Sequence, residues 1–174
     1  FVTYEFHDGA NDTIRGRKFD ANMNLVGVEQ TLRTDEDPTN TQVDGDPRRQ
    51  DTAVLTDGRY VTVFDEGDNS AGLNDTGIEI RISNADGTNG LNAAVTVLNG
   101  VQDTNARVAA LSDGGFVVVW VESEETAGVF NNNIKAQRYN ADGPKRGAAI
   151  TVADSSNNHS GPDVIGLEDG TFFV

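Results

Sequence analysis

The chain has 174 residues, 36% of them hydrophobic, which is long enough for one domain with its own core. Its 28 acidic and 13 basic residues give a net charge of −15, so we expect cations as partners and no nucleic acid. With no cysteine and no long apolar run, the sequence excludes disulfides, zinc ribbons, thiol nucleophiles and membrane insertion.

Two short sequence blocks recur along the chain at a constant spacing. The first block, a Leu-x-Asp-Gly turn followed by an apolar run, occurs at 53–64, 109–120 and 165–174. The second block ends in Asn-Ala-Asp-Gly and occurs at 78–87 and 134–143, in step with the first. A shared period of about 56 residues indicates a repeat protein.

Each unit reads as four antiparallel strands, which we name a to d in chain order. In the central unit the predicted strands are, approximately, Ala106–Leu111, Gly115–Glu122, Ile134–Tyr139 and Ala148–Val152. Asp-Gly turns between a and b and between c and d supply the positive φ that tight hairpins require. The b–c and d–a connections vary in length and are acidic, so we expect one constant rim and one variable acidic rim.

The whole chain, 1–174, is predicted to be a single repeat domain. Its units cover about 47–104 and 105–160, and a split unit combines 161–174 with 1–46. Both ends align with strand b, so we expect a fragment or a processed segment. The split unit would be completed within the chain, by neighbouring sequence or by another copy.

The central unit carries the most specific pattern. Ala-Leu-Ser-Asp-Gly-Gly-Phe-Val-Val-Val-Trp at 110–120, followed by Gln-Arg-Tyr-Asn-Ala-Asp-Gly at 137–143, resembles the tandem β repeats of large secreted bacterial RTX, haemolysin-type calcium-binding and adhesin-like proteins. The resemblance implies a secreted or cell-surface location, calcium in the surroundings, blade-like units and no catalytic residues. The chain lacks the Gly-Gly-x-Gly-x-Asp run of the calcium roll, so that metal site does not transfer.

We therefore predict an all-β fold of three four-stranded antiparallel repeats arranged as propeller-like blades. Closed propellers typically contain about four to eight blades, so three units would form part of a ring or of a longer array. A β-trefoil, with three four-stranded units in one chain, is the alternative. The apolar run of strand b favours blades, because it reads as buried on both faces.

The acidic segment 34–46 is the candidate metal site. It offers the hard oxygen ligands that Ca²⁺ prefers, from Asp35, Asp37, Asp44 and Asp46. A solvated loop is the competing interpretation. The loops 65–69 and 122–125 share one repeat position, so their carboxylates could gather on the same rim and bind Ca²⁺ or sugar hydroxyls.

The predicted function is a non-enzymatic structural or adhesive module whose partners are neighbouring repeats or subunits, including a homo-oligomer. One alternative is a carbohydrate-binding lectin with one glycan site per repeat, and another is a component of a larger filament or ring. Trp120, Tyr4 and Tyr60 occupy strand b, which predicts a core role rather than a sugar platform.

Overall fold

A computed structural model of the chain describes residues 1–7, 12–34, 48–68, 75–86, 88, 103–126, 129–154 and 158–174. In these ranges the regular elements are all β-strands, and every ladder is antiparallel, which confirms the all-β prediction. No membrane-spanning helix is found in this part of the chain.

The described strands form four sheets, which we call A to D in chain order. Sheet A contains β1 (Val2–His7), β2 (Asp12–Phe19) and β3 (Leu25–Thr34). Sheet B contains β4 (Arg48–Val54), β5 (Tyr60–Asp68) and β6 (Asp75–Ser83). Sheet C contains β7 (Thr104–Ala110), β8 (Phe116–Thr126), β9 (Val129–Tyr139) and β10 (Lys145–Ala153). Sheet D contains β11 (Ile165–Gly166) and β12 (Phe172–Phe173).

Residues that are one repeat apart in the sequence have equivalent pairing partners in sheets B and C. In sheet B, Tyr60 pairs with Val54 and with Ser83. In sheet C the residues one period later make the same pairs, namely Phe116 with Ala110 and with Tyr139. Strands a to d of the central unit are therefore confirmed as β7 to β10.

The prediction of three four-stranded repeats holds only for the central unit among the described residues. Sheet B has three described strands, and the segment that follows them, 89–102, lies outside the described residues. The split unit is divided between sheet D, with strands a and b, and sheet A, with strands b to d; no ladder joins these two sheets in the described ranges. The same ranges contain no closed ring of blades.

The sheets pack in the order A, B, C, D. Sheet A contacts sheet B through β1 and β4, sheet B contacts sheet C through β4, β5 and β7, and sheet C contacts sheet D through β7 and β11. At the last boundary a Cβ on Gly166 would lie 2.0 Å from the backbone oxygen of Ala110, so only glycine permits this approach.

Strand β8 is buried on both faces, as its apolar sequence predicts. Phe116, Val118 and Trp120 pack with residues of sheet B in one core cluster. Val117 and Val119, on the opposite face, pack in a second cluster that is covered by sheet D. Because successive residues of a strand point to opposite faces, one apolar run serves two cores.

The boundary between sheets A and B is more polar. The hydroxyl oxygens of Thr3 and Thr52 lie 3.1 Å apart, and that of Thr62 lies 3.0 Å from Thr52. Phe1 and Tyr60 stack with ring centroids 4.4 Å apart. Sheet A is therefore held to sheet B by hydroxyl contacts and aromatic stacking together.

The hairpin turns repeat in geometry as well as in sequence. Gly58, Gly114 and Gly170 occupy the same place in three a–b turns, and all have a positive φ between 83° and 91°. In the c–d turns Gly143 has φ 98°, whereas sheet A has Met23 at the equivalent place with φ 65°. A side chain at positive φ is strained, so this turn is the least favourable of the set.

Met23→Gly is expected to raise the free energy of unfolding by about 1 kcal/mol, because it relieves strain at an exposed position. Chemical denaturation measures the change. Gly143→Ala, the reverse change in the equivalent turn, is expected to destabilise. Destabilisation by Met23→Gly would show that the glycine entropy cost outweighs the strain.

Candidate site at the acidic rim

The four predicted Ca²⁺ ligands, Asp35, Asp37, Asp44 and Asp46, lie outside the described residues. The metal prediction for that segment therefore stays a prediction. Within the described ranges, no group of three or more His, Cys, Asp or Glu residues is placed to hold a metal ion.

Asp65 follows the buried part of β5, where the sequence predicted a carboxylate on the open rim. Its side chain is instead buried, and its two oxygens accept hydrogen bonds from the backbone N–H groups of Asn105 (2.9 Å) and Ala106 (3.3 Å). Arg49 donates a further bond at 3.3 Å. Burial raises the pKa of Asp65, and the two backbone bonds oppose that rise. Asp65 therefore joins β5 to β7 rather than lying open to ligands.

Asp51 makes a second bond across the same boundary. Its Oδ2 accepts a hydrogen bond from the backbone N–H of Val108 at 2.9 Å, and its Oδ1 accepts one from Thr52 within its own sheet. Strand β7 lies at the edge of sheet C, where unpaired backbone donors need partners. The two aspartates of sheet B satisfy three of these donors.

Glu122 opens the second acidic loop named in the sequence prediction. It forms an ion pair with Lys135 on the neighbouring strand at 2.9 Å, and both side chains are about one fifth exposed. Glu124, two residues later, is exposed. Of the described rim carboxylates, Asp65 and Glu122 are therefore engaged with the protein itself.

Asp103, just before β7, is the least expected group at this rim. It is fully buried, and neither carboxylate oxygen has a hydrogen-bond partner among the described residues. Burial raises its pKa to about 7, and the nearby negative charge of Glu122 adds to the rise. The indole of Trp120 and the charge of Lys135 act in the opposite direction. Burial thus moves the titration of Asp103 from the acidic range towards neutral pH.

Sequence reasoning missed Asp103 because the repeat gives no signal for it. The equivalent positions, one repeat before and one repeat after, are Pro47 and His159. Nothing in the sequence around Asp103 marks a buried carboxylate, since burial there comes from the packing of sheets B and C.

Aromatic side chains of strand b are used for packing. Trp120 and Tyr60 are buried, which confirms the predicted core role of Trp120. On sheet A, the hydroxyl group of Tyr4 donates to Glu29. Of these three residues, two are therefore inaccessible to a sugar ring.

No protein-family model, no curated protein and no solved structure matches the chain. The resemblance to repeats of secreted calcium-binding and adhesin-like proteins therefore stays a prediction. Function is inferred below from the residues and their geometry.

Asp103→Asn is expected to change how stability depends on pH. Because the folded pKa of about 7 lies above the ordinary value of 3.8, Asp103 destabilises the fold increasingly as the pH rises between these values. The difference in the free energy of unfolding between the variant and the wild type should therefore increase, in favour of the variant, by on the order of 1–3 kcal/mol when the pH is raised from 5 to 8. Urea denaturation at both pH values measures this gain. Glu124→Gln, at an exposed carboxylate, is the control, and a pH-independent difference for Asp103→Asn would contradict the assignment.

Proposed function

We propose that the chain is a non-enzymatic structural or adhesive module of a secreted or cell-surface protein, built of propeller-like sheets that bind neighbouring units through their faces. The proposal rests on the residues at repeated positions, whose side chains lie between neighbouring sheets. Val61 and Val117 occupy one such position, and both are completely buried at boundaries between sheets. Recurrent side chains thus serve contacts between sheets.

Blade-like units are favoured over a trefoil by the strand pairing. Every described ladder joins strands of the same unit, and the described contacts between units are made by packing and by side-chain hydrogen bonds. A trefoil barrel would require ladders between units. The separate, stacked sheets are typical of propeller blades and of open arrays of such blades.

The buried and half-buried polar groups between sheets support a structural role. Asp51 and Asp65 bond to the backbone of the next sheet, and Glu79 forms ion pairs with Arg33 (3.3 Å) and Arg81 (2.5 Å). Each of these groups has a protein partner that fixes one sheet against its neighbour or orders the strands within a sheet.

Calcium is the proposed ligand of the variable rim. The net charge of −15 favours cations, and the acidic segment 34–46 contains five carboxylates, namely Asp35, Glu36, Asp37, Asp44 and Asp46. The segment joins β3 to β4, so an ion bound there would act on the connection between sheets A and B.

Millimolar Ca²⁺ is expected to raise the melting temperature by several °C, because a ligand that binds only the folded state stabilises it by mass action. Differential scanning calorimetry measures the shift. The combined variant Asp35→Asn, Asp37→Asn, Asp44→Asn, Asp46→Asn should lose it.

The control variant is Glu168→Gln, which removes a carboxylate from an a–b turn at the opposite rim and should keep the full shift. Mg²⁺ at equal ionic strength controls for screening of the net charge. No shift with Ca²⁺, or the same shift in the combined variant, would refute calcium binding at this segment.

A further inference from the structure

The two end sheets of the stack each present a face that is not covered by another sheet in the described residues. We call the outer face of sheet A, with Val2, Tyr4, Phe6, Arg15 and Arg17, face A. We call the outer face of sheet D, with Asp163, Ile165 and Phe173, face D. The residues of both faces have equivalents in the inner sheets, so their exposure can be compared position by position.

Face A contains a position that is buried wherever another sheet precedes it. Val2 aligns with Thr62 of sheet B and Val118 of sheet C, because each lies two residues before the aromatic residue of strand b. Thr62 and Val118 are 0% exposed, whereas Val2 is 53% exposed. Face A therefore lies at the repeat position of a boundary between sheets, and no described sheet covers it.

Face D, at the other end of the stack, also exposes a residue whose equivalents in the inner sheets are buried. Phe173 occupies the repeat position that Val117 holds in the central unit and Val61 in the unit before it. Both valines are 0% exposed at boundaries with the next sheet, whereas Phe173 is 71% exposed. Its pairing partner Ile165 is also exposed. Two apolar side chains that pair across β11 and β12 are thus exposed at repeat positions where the equivalent residues are buried or half-buried.

Asp163 adds a polar feature to face D. It is the equivalent of Asp51, which bonds to its following backbone N–H and also crosses to Val108 of the next sheet. Asp163 repeats the first bond, to Val164 at 2.9 Å. The local arrangement that crosses the B–C boundary is therefore present at the end of the stack as well.

We propose that face D of one copy packs on face A of a second copy, head to tail. The occupant is a second copy because the inner boundaries already use the two faces in this polarity, so the new contact continues an existing interface. This inference rests on the proposed structural role, and it names the partner and the surfaces.

A head-to-tail contact joins face D of one copy to face A of the other. A dimer therefore still has one uncovered face A and one uncovered face D. Association then continues to a ring or to an open filament, depending on the rotation between copies. An isologous dimer, by contrast, would pair face A with face A or face D with face D and would stop at two chains.

Analytical ultracentrifugation over a wide concentration range tests the proposal with three variants. The wild type is expected to exceed the 18.6-kDa chain mass as concentration rises. Val2→Lys blocks face A and Phe173→Lys blocks face D, so each variant alone should remain monomeric. Their equimolar mixture should form a heterodimer of twice the chain mass and nothing larger, because each variant keeps one intact face. Val28→Lys, at an exposed site on the outer strand β3, should associate like the wild type.

Circular dichroism and melting temperature confirm that the variants are folded, and Val2→Ser with Phe173→Ser repeats the test if a lysine variant is not. A wild type that stays monomeric, either single variant that still associates, or a mixture without heterodimer would overturn the proposal. A monomeric wild type would leave the structural role and its Ca²⁺ response testable, because the calcium shift is measured on the folded chain whatever its mass.

Discussion

The fold depends on strand b being apolar on both faces. Val118 and Trp120 enter the core shared with sheet B, while Val117 and Val119 enter the core shared with sheet D. A sheet with such a strand cannot be stable alone in water, because both of its faces would expose apolar side chains to solvent. One neighbouring sheet would cover only one of these faces. Sheet C therefore needs a neighbour on either side, and sheets B and D supply them. Stacking of these sheets is the consequence of this single constraint.

Apolar contacts alone would let one sheet slide over the next, and hydrogen bonds of polar side chains fix their relative position. Asp51 and Asp65 accept hydrogen bonds from β7, so the edge of sheet C is aligned with sheet B residue by residue. The same boundary contains Asp103, which is buried without a hydrogen bond from any described residue and costs stability when charged. The B–C boundary thus combines side-chain hydrogen bonds with a buried carboxylate, and we expect its stability to depend on pH.

The local structure could be predicted from the sequence because its causes are local. Alternating apolar residues and Asp-Gly turns place β7 to β10 correctly, and the position of Trp120 in strand b predicts its burial. The division of the split unit into two unjoined sheets could not be predicted, since it depends on packing between distant segments. Asp65 was expected on the rim because it begins an acidic loop. Its equivalent in the central unit is the buried Val121, and only the tertiary structure shows that the carboxylate of Asp65 occupies the same core position. Asp103 has no counterpart in either neighbouring unit.

Face-to-face stacking of the sheets can be measured with a pair of engineered cysteines, because the chain has no cysteine of its own. Thr3→Cys with Thr52→Cys joins sheets A and B, where the two hydroxyl oxygens lie 3.1 Å apart. Thr52→Cys with Thr62→Cys, cross-strand partners within sheet B, is the matched control. Under mild oxidation both pairs are expected to form an intramolecular disulfide, seen by intact mass and loss of free thiol. A control pair that oxidises while the Thr3–Thr52 pair stays reduced would contradict the stacking of the sheets.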